Sequence, residues 1–271
     1  MKIKLKILSS IILFSLLACD NNTEKVTTNE KEGKNEIIHN NSDFESKVKR
    51  EIESRLKINS AENYKIKIVK EYIDRDTVID AVILVNREEY AIDKAKKKDN
   101  LKFLEYLGYT GPHNHVFVYL GGKDKFLQAP PVGSSIKHEL TVNFEIVTTP
   151  SQKDFFVEYR SKNSVYRNYY TVRNNEIYLT FNCPVYSEIG DPEPKAYDIQ
   201  HLESSVRLAK DIALYNAKIS NYNPSKIEDI NNYTPDEIVA TDELFVYFIF
   251  DDKKMVYVTP MRKEEAESDI N

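Results

Sequence analysis

Leu140-Thr141-Val142-Asn143-Phe144-Glu145-Ile146 places an apolar side chain at every second position, and Phe155-Phe156-Val157-Glu158-Tyr159 follows after a short polar break. A period of two marks a half-buried strand, because successive side chains point to opposite faces of a sheet. Ser164 to Val172 and Glu176 to Phe181 continue the pattern on either side of Arg173-Asn174-Asn175, which reads as a hairpin turn. From Glu139 onward the chain therefore reads as continuous β structure, and strands joined by short turns pair antiparallel.

Working outward, Tyr64, Ile66 and Ile68 alternate with lysines, and the wholly apolar Ala81 to Val85 predicts a buried strand. Ser42-Asp43-Phe44-Glu45 has the form of a capping box, and Phe44, Val48, Ile52 and Leu56 make one apolar stripe behind it. Arg87 to Tyr109 reads as a helix in two pieces broken around Asp99-Asn100, and Gly108 to Pro112 as a turn. The strand His115 to Leu120 then turns at Gly121 to Asp124 into Phe126-Leu127. Further on, Asp191-Pro192-Glu193-Pro194 is a rigid loop. In Glu203 to Ile219, Val206, Ala209, Ala213 and Ala217 share a helical face, although alternation at Ile212 and Leu214 keeps a strand open. Asn221 to Thr241 reads as an acidic loop, and Leu244 to Phe250 with Met255 to Val258 closes the chain as a hairpin. The expected fold is one α+β domain over residues 42–262: a largely antiparallel β-sheet with an N-terminal amphipathic helix and one or two further helices packed on it.

Residues 1–18 have the order of an export signal. Lys2, Lys4 and Lys6 precede an apolar run from Ile7 to Leu17, and Ala18 stands before Cys19. Such a run is too short to cross a hydrocarbon core, which takes about 20 helical residues. Leu16-Leu17-Ala18-Cys19 resembles the lipobox of bacterial lipoproteins, and the chain as a whole is similar to lipoproteins of the Bacteroidota kind, to which no activity is attached. That resemblance implies a lipid on Cys19, an anchor in the bacterial cell envelope with inner or outer membrane undecided, and removal of residues 1–18. Residues 19–41 are polar enough to serve as a flexible tether, and 263–271 form a charged tail. Without the signal the basic residues fall from 38 to 35 against 43 acids, so the net charge moves from −5 to −8. Mild acidity argues against a nucleic-acid partner and suits a basic protein or a cation.

Chemistry-bearing residues are few. In Tyr72-Ile73-Asp74-Arg75-Asp76-Thr77-Val78-Ile79-Asp80, the spacing of Asp74, Asp76 and Asp80 resembles a degenerate single copy of the calcium loop of integrin-type repeats, with Tyr72 and Thr77 departing from its pattern. Calcium takes six to eight hard oxygens, which alternate residues of such a loop supply. His113 and His115, two apart on a strand, share a face and could begin a zinc site, with His138 and His201 as further ligands by residue type alone. Cys183 has no partner once Cys19 carries lipid, and reads as a small buried hydrophobe. Tyr159, Tyr166, Tyr169, Tyr170, Tyr178 and Tyr186 could line an aromatic binding face, or lie half-buried as strand tyrosines do. No Gly-x-Ser-x-Gly elbow or His-Glu-x-x-His helix is present. The expectation is an anchored lipoprotein that binds or docks a protein or envelope component without catalysis and without cofactor, possession of an immunity-type role being one form of it. The alternatives are calcium at the acidic loop and a metal-dependent envelope hydrolase using His113 and His115.

Overall fold

The side chain that decides the architecture is Phe155, which lies in strand β7 (Asp154–Ser161) and has no exposed surface. Along β7, Phe155 and Val157 enter one core while Phe156 packs against another. A strand apolar on both sides must lie between two layers. The computed structural model, which describes residues 41–260, has two antiparallel sheets around it. The expected export signal, Cys19, the expected tether up to residue 40 and the expected charged tail lie outside the described residues.

The first sheet holds β1 (Lys65–Glu71), β2 (Asp80–Asn86), β3 (Thr110–Leu120), β4 (Lys125–Gln128) and β5 (Val132–Ser135), in the order β1-β2-β3-β4 with β5 also on β3. Every residue of β2 is buried, as its apolar run predicts. Strand β3 begins at Thr110, so Gly111 and Pro112 lie inside a strand where a turn is expected. Pro112 is tolerated because β3 there runs past the end of β2, and its ladder with β5 is irregular between Gly111 and Asn114. Between β2 and β3 stand α2 (Glu88–Lys97) and α3 (Leu101–Tyr106), the expected two helical pieces. Ahead of β1, α1 (Asn41–Leu56) starts one residue before the Ser42 cap position, and Val48 and Ile52 of its apolar stripe have no exposed surface. Among the described residues no helix is long and apolar enough to cross a membrane.

The second sheet runs β6 (Thr141–Glu145), β7, β8 (Ser164–Arg173), β9 (Glu176–Ser187), β10 (Lys195–Leu202), β11 (Asp211–Ile219), β12 (Ile238–Asp251) and β13 (Val256–Val258), each beside its neighbour in sequence. The β8–β9 turn is the expected Asn-Asn hairpin, with both residues left-handed (φ 52° and 61°). Glu203 to Ile219 is not a helix: Asp211 to Ile219 is a strand between β10 and β12, and Val206 is 78% exposed. The helical stripe would have needed Val206 in a core. Asp211 to Leu214 are all buried instead, with Ile212 and Leu214 in one core, and pairing on both edges outweighs the local helix preference of three alanines. The alternation read through Ile146 also stops at Glu145, leaving Ile146 exposed and Val147 buried.

One core lies between the first sheet and β7–β8, and includes Val82, Leu84, Val116, Val118, Phe155, Val157 and Tyr170. The other lies inside the second sheet, which curls until Phe181 of β9 meets Phe248 of β12 (4.5 Å) and Tyr257 of β13 (5.7 Å). Cys183 is buried there, and burial pushes its thiol up to about 12, so it is a core residue with no thiolate at neutral pH.

Candidate binding cleft

Two loops are pinned by the same device. Asp80, the first residue of β2, accepts the backbone N–H groups of Ile73 (2.9 Å) and Asp74 (3.1 Å) on Oδ2, and that of Gly121 (2.9 Å) on Oδ1. Asp154, the first residue of β7, accepts those of Val147 (3.0 Å) and Thr148 (2.5 Å) on Oδ2, and the Thr148 hydroxyl (2.8 Å) on Oδ1. In both loops the donors stand seven and six residues before the aspartate. Both carboxylates are buried, and burial pushes both upward while the amide bonds pull against it.

Both loops line one polar cleft of about 530 Å³. The first loop contributes Asp74, Arg75 and Asp76; the second contributes Thr148, Thr149 and Gln152. Val172 of β8, Arg173, Asn174 and Asn175 of the β8–β9 turn, Lys123, Leu208 and Asp252 complete it. Gln152 is fixed by donating to the Thr171 hydroxyl (3.1 Å) and the Val172 carbonyl (3.0 Å). Arg173 pairs with Asp252 (3.2 Å). Lining side chains held by the frame in this way suit a recognition surface.

Asp74, Asp76 and Asp80 do converge: one oxygen from each lies within 4.8 Å of the others. Their remaining contacts decide what they can hold. Asp74 Oδ1 accepts the Asp76 amide and Asp76 Oδ1 the Val78 amide, while Asp74 Oδ2 takes the Lys123 ammonium at 2.7 Å. Burial works to raise the Asp74 carboxyl, but Lys123 and the Asp76 amide together hold it below the usual carboxylate range. The hydrogen bond to Asp74, with Asp76 and Asp80 behind it, raises the Lys123 ammonium. A tethered cation thus already occupies an oxygen of one of the three carboxylates. Gly122 permits this approach, since a Cβ there would lie 2.2 Å from Asp76 Oδ2. The donor set fits calcium poorly while Lys123 is present. Calcium at millimolar concentration is therefore expected to move the melting temperature by less than about 1 °C, whereas Lys123→Met should gain a calcium-dependent rise of several degrees. A larger shift in the unsubstituted chain than in the variant would contradict this.

His113 and His115 lie elsewhere, on β3. Among the described residues no third histidine, cysteine or carboxylate ligand joins them. His113 stands edge-on to Tyr90 (ring centroids 5.8 Å apart). His115 is buried, neither ring nitrogen finds a protein partner, and burial with the nearby Arg87 charge pushes the imidazole down to about 4. A histidine depressed in the fold contributes stability above its free pKa of about 6.5, lost as pH falls toward 4. His115→Leu is thus expected to flatten the acid limb of a stability–pH curve by up to about 3 kcal/mol between pH 6.5 and 4. An unchanged limb would show that His115 does not titrate there.

Sequence reasoning missed a chain of polar side chains on the inner face of the second sheet. His201 of β10 lies between Glu145 of β6 (Nδ1 to Oε2, 2.7 Å) and the Tyr169 hydroxyl of β8 (Nε2 to O, 3.0 Å). Arg167 donates to that hydroxyl (3.1 Å) and to Glu158 (2.6 Å). Carboxylate, imidazole and hydroxyl in line resemble a proton relay, but Tyr169 is only 2% exposed, so no substrate reaches it. No local signal could have joined Glu145 to His201, because the pairing of five strands brings them together. Of the tyrosines expected to line a face, Tyr169, Tyr170 and Tyr186 are buried, and Tyr159, Tyr166 and Tyr178 are half-buried. They form no exposed platform. No protein-family model matches the chain, and no curated protein or solved structure matches it significantly.

Proposed function

We propose that the chain is an envelope lipoprotein, anchored through lipid on Cys19, whose domain holds a small polar envelope component in the cleft between the two aspartate-pinned loops without transforming it. In this reading residues 19–41 are the tether, which leads through α1 into the β-rich domain. The observation that carries the reading is the cleft itself, a 530 Å³ concavity lined in part by two loops whose backbone amides end on buried carboxylates.

Its lining supports a ligand class. Arg75, Lys123 and Arg173 are matched by Asp74, Asp76 and Asp252, and hydroxyls and amides fill the space between them. A balanced site of this kind favours a neutral or zwitterionic molecule rich in hydrogen-bonding groups, such as an amino sugar or a short peptide. The lining contains no histidine or cysteine, and Asp74 and Asp252 are engaged by bases, which favours binding over catalysis. Calorimetric titration with muropeptides, amino sugars and short zwitterionic peptides tests the proposal. One class should bind, and Gln152→Ala, which removes a lining amide, should weaken it about tenfold. Equal affinity in the variant would place binding elsewhere.

A further inference from the structure

Strand β12 runs 14 residues, yet β13 pairs only with Ile249, Phe250 and Asp251. Its other edge is taken by β11, so among the described residues no strand covers the outer edge of Ile238 to Phe248. An uncovered edge offers a row of unpaired N–H and C=O groups, which proteins usually blunt with charge, proline or a bulge. Here the blunting is confined to one part. From Leu244 back to Ala240 β12 takes four steps against two on β11, Tyr215 to Ala217, and this irregularity holds Asp242 and Glu243. Beyond it Leu244-Phe245-Val246-Tyr247-Phe248 has no charge, glycine or proline, and Leu244 and Phe245 are 50% and 56% exposed.

We propose that this edge accepts an extended segment of a partner protein, apolar and basic in alternation, as an added strand. The apolar half of that chemistry follows from Leu244 and Phe245. The basic half follows from charge: between Ile227 and Asp252 there are eight acids and no lysine, arginine or histidine. Asp236, Glu237, Asp242 and Glu243 are all exposed along this stretch, and none is ion-paired among the described residues. Backbone bonds would supply the docking, and the acids would select the partner's sign and speed its approach. A second copy is disfavoured, since edge-to-edge pairing would set Asp242 and Glu243 against their own kind. Residues 261–271, with four acids to two bases, are a poorer match than a basic strand.

The test uses the full chain, a capped eight-residue peptide alternating lysine with valine, and its glutamate–valine counterpart, read by amide hydrogen exchange. The lysine peptide is expected to slow exchange across Leu244 to Phe248 about tenfold or more at low salt, and the glutamate peptide to leave it unchanged. Asp242→Lys with Glu243→Lys should weaken the lysine peptide about tenfold while the melting temperature holds, a control for any misfolding of Val246→Pro, which should abolish protection. Absence of protection by the lysine peptide overturns the proposal. So does protection that needs no peptide and either rises with protein concentration, which would make the occupant a second copy, or disappears on deleting residues 262–271, which would make it the chain's own end.

Discussion

Asp80→Ala is expected to destabilise the domain by about 3–5 kcal/mol, a fall of roughly 10 °C in melting temperature for a domain of this size. The magnitude follows from what the carboxylate holds. Three backbone N–H groups, from Ile73, Asp74 and Gly121, end on its two oxygens, and Ile73 has no access to water. An orphaned buried donor costs about 1–3 kcal/mol, reduced where water can replace the lost acceptor, as near Asp74 and Gly121. Asp76→Ala removes a bond to the exposed Val78 amide and a share of the charge facing Lys123, and should cost about 1 kcal/mol or less. The contrast between the two separates an anchoring carboxylate from a merely acidic loop. Equal effects, or a loss under about 1 kcal/mol for Asp80→Ala, would mean that the loop is held by something else.

Glu62→Ala should cost as much for a different reason. Arg87, which caps α2 directly after β2, donates twice to Glu62 at 2.6 Å, and both side chains are more than nine-tenths buried (8% and 9% exposed). Removing one member of a buried pair leaves the other charge without compensation, which typically costs 3–5 kcal/mol. Arg87 keeps the Leu56 carbonyl (3.3 Å) and the face of Tyr90 (4.0 Å to its centroid), neither of which neutralises a guanidinium. Pairing Glu62→Leu with Arg87→Met should recover most of the loss, since an apolar pair carries no desolvation penalty. Chemical denaturation of the single and double variants measures this directly. A double variant as unstable as the single would show that the site needs its charge.

The strands with strong local patterns were legible. Ala81 to Val85, Phe155 to Tyr159 and the hairpin around Asn174-Asn175 each carry their period and turn chemistry within a dozen residues. Glu203 to Ile219 misled because Ala209, Ala213 and Ala217 suit a helix, and only pairing with β10 and β12 makes them a strand. Gly111-Pro112 misled because its place beyond the end of β2 depends on a partner elsewhere in the chain. The convergence of Asp74, Asp76 and Asp80 could be read from spacing, but the Lys123 ammonium on Asp74 could not, arriving from 49 residues away. Asp154 left a fainter trace. Like Asp80, it stands directly before an apolar run and seven residues after an apolar residue whose amide it binds. That signal gains meaning only once both loops are seen to border one cleft.

Amide chemical-shift mapping tests most directly whether this domain meets its ligand in the cleft. The isotopically labelled protein would be titrated with the muropeptides, amino sugars and zwitterionic peptides used for calorimetry. The expected shifts fall on Thr148, Thr149, Gln152, Asn174 and Asn175, from two separate elements lining the same concavity. Shifts confined to other surfaces, or no response to any polar ligand at millimolar concentration, would contradict the assignment of this cleft as a binding site.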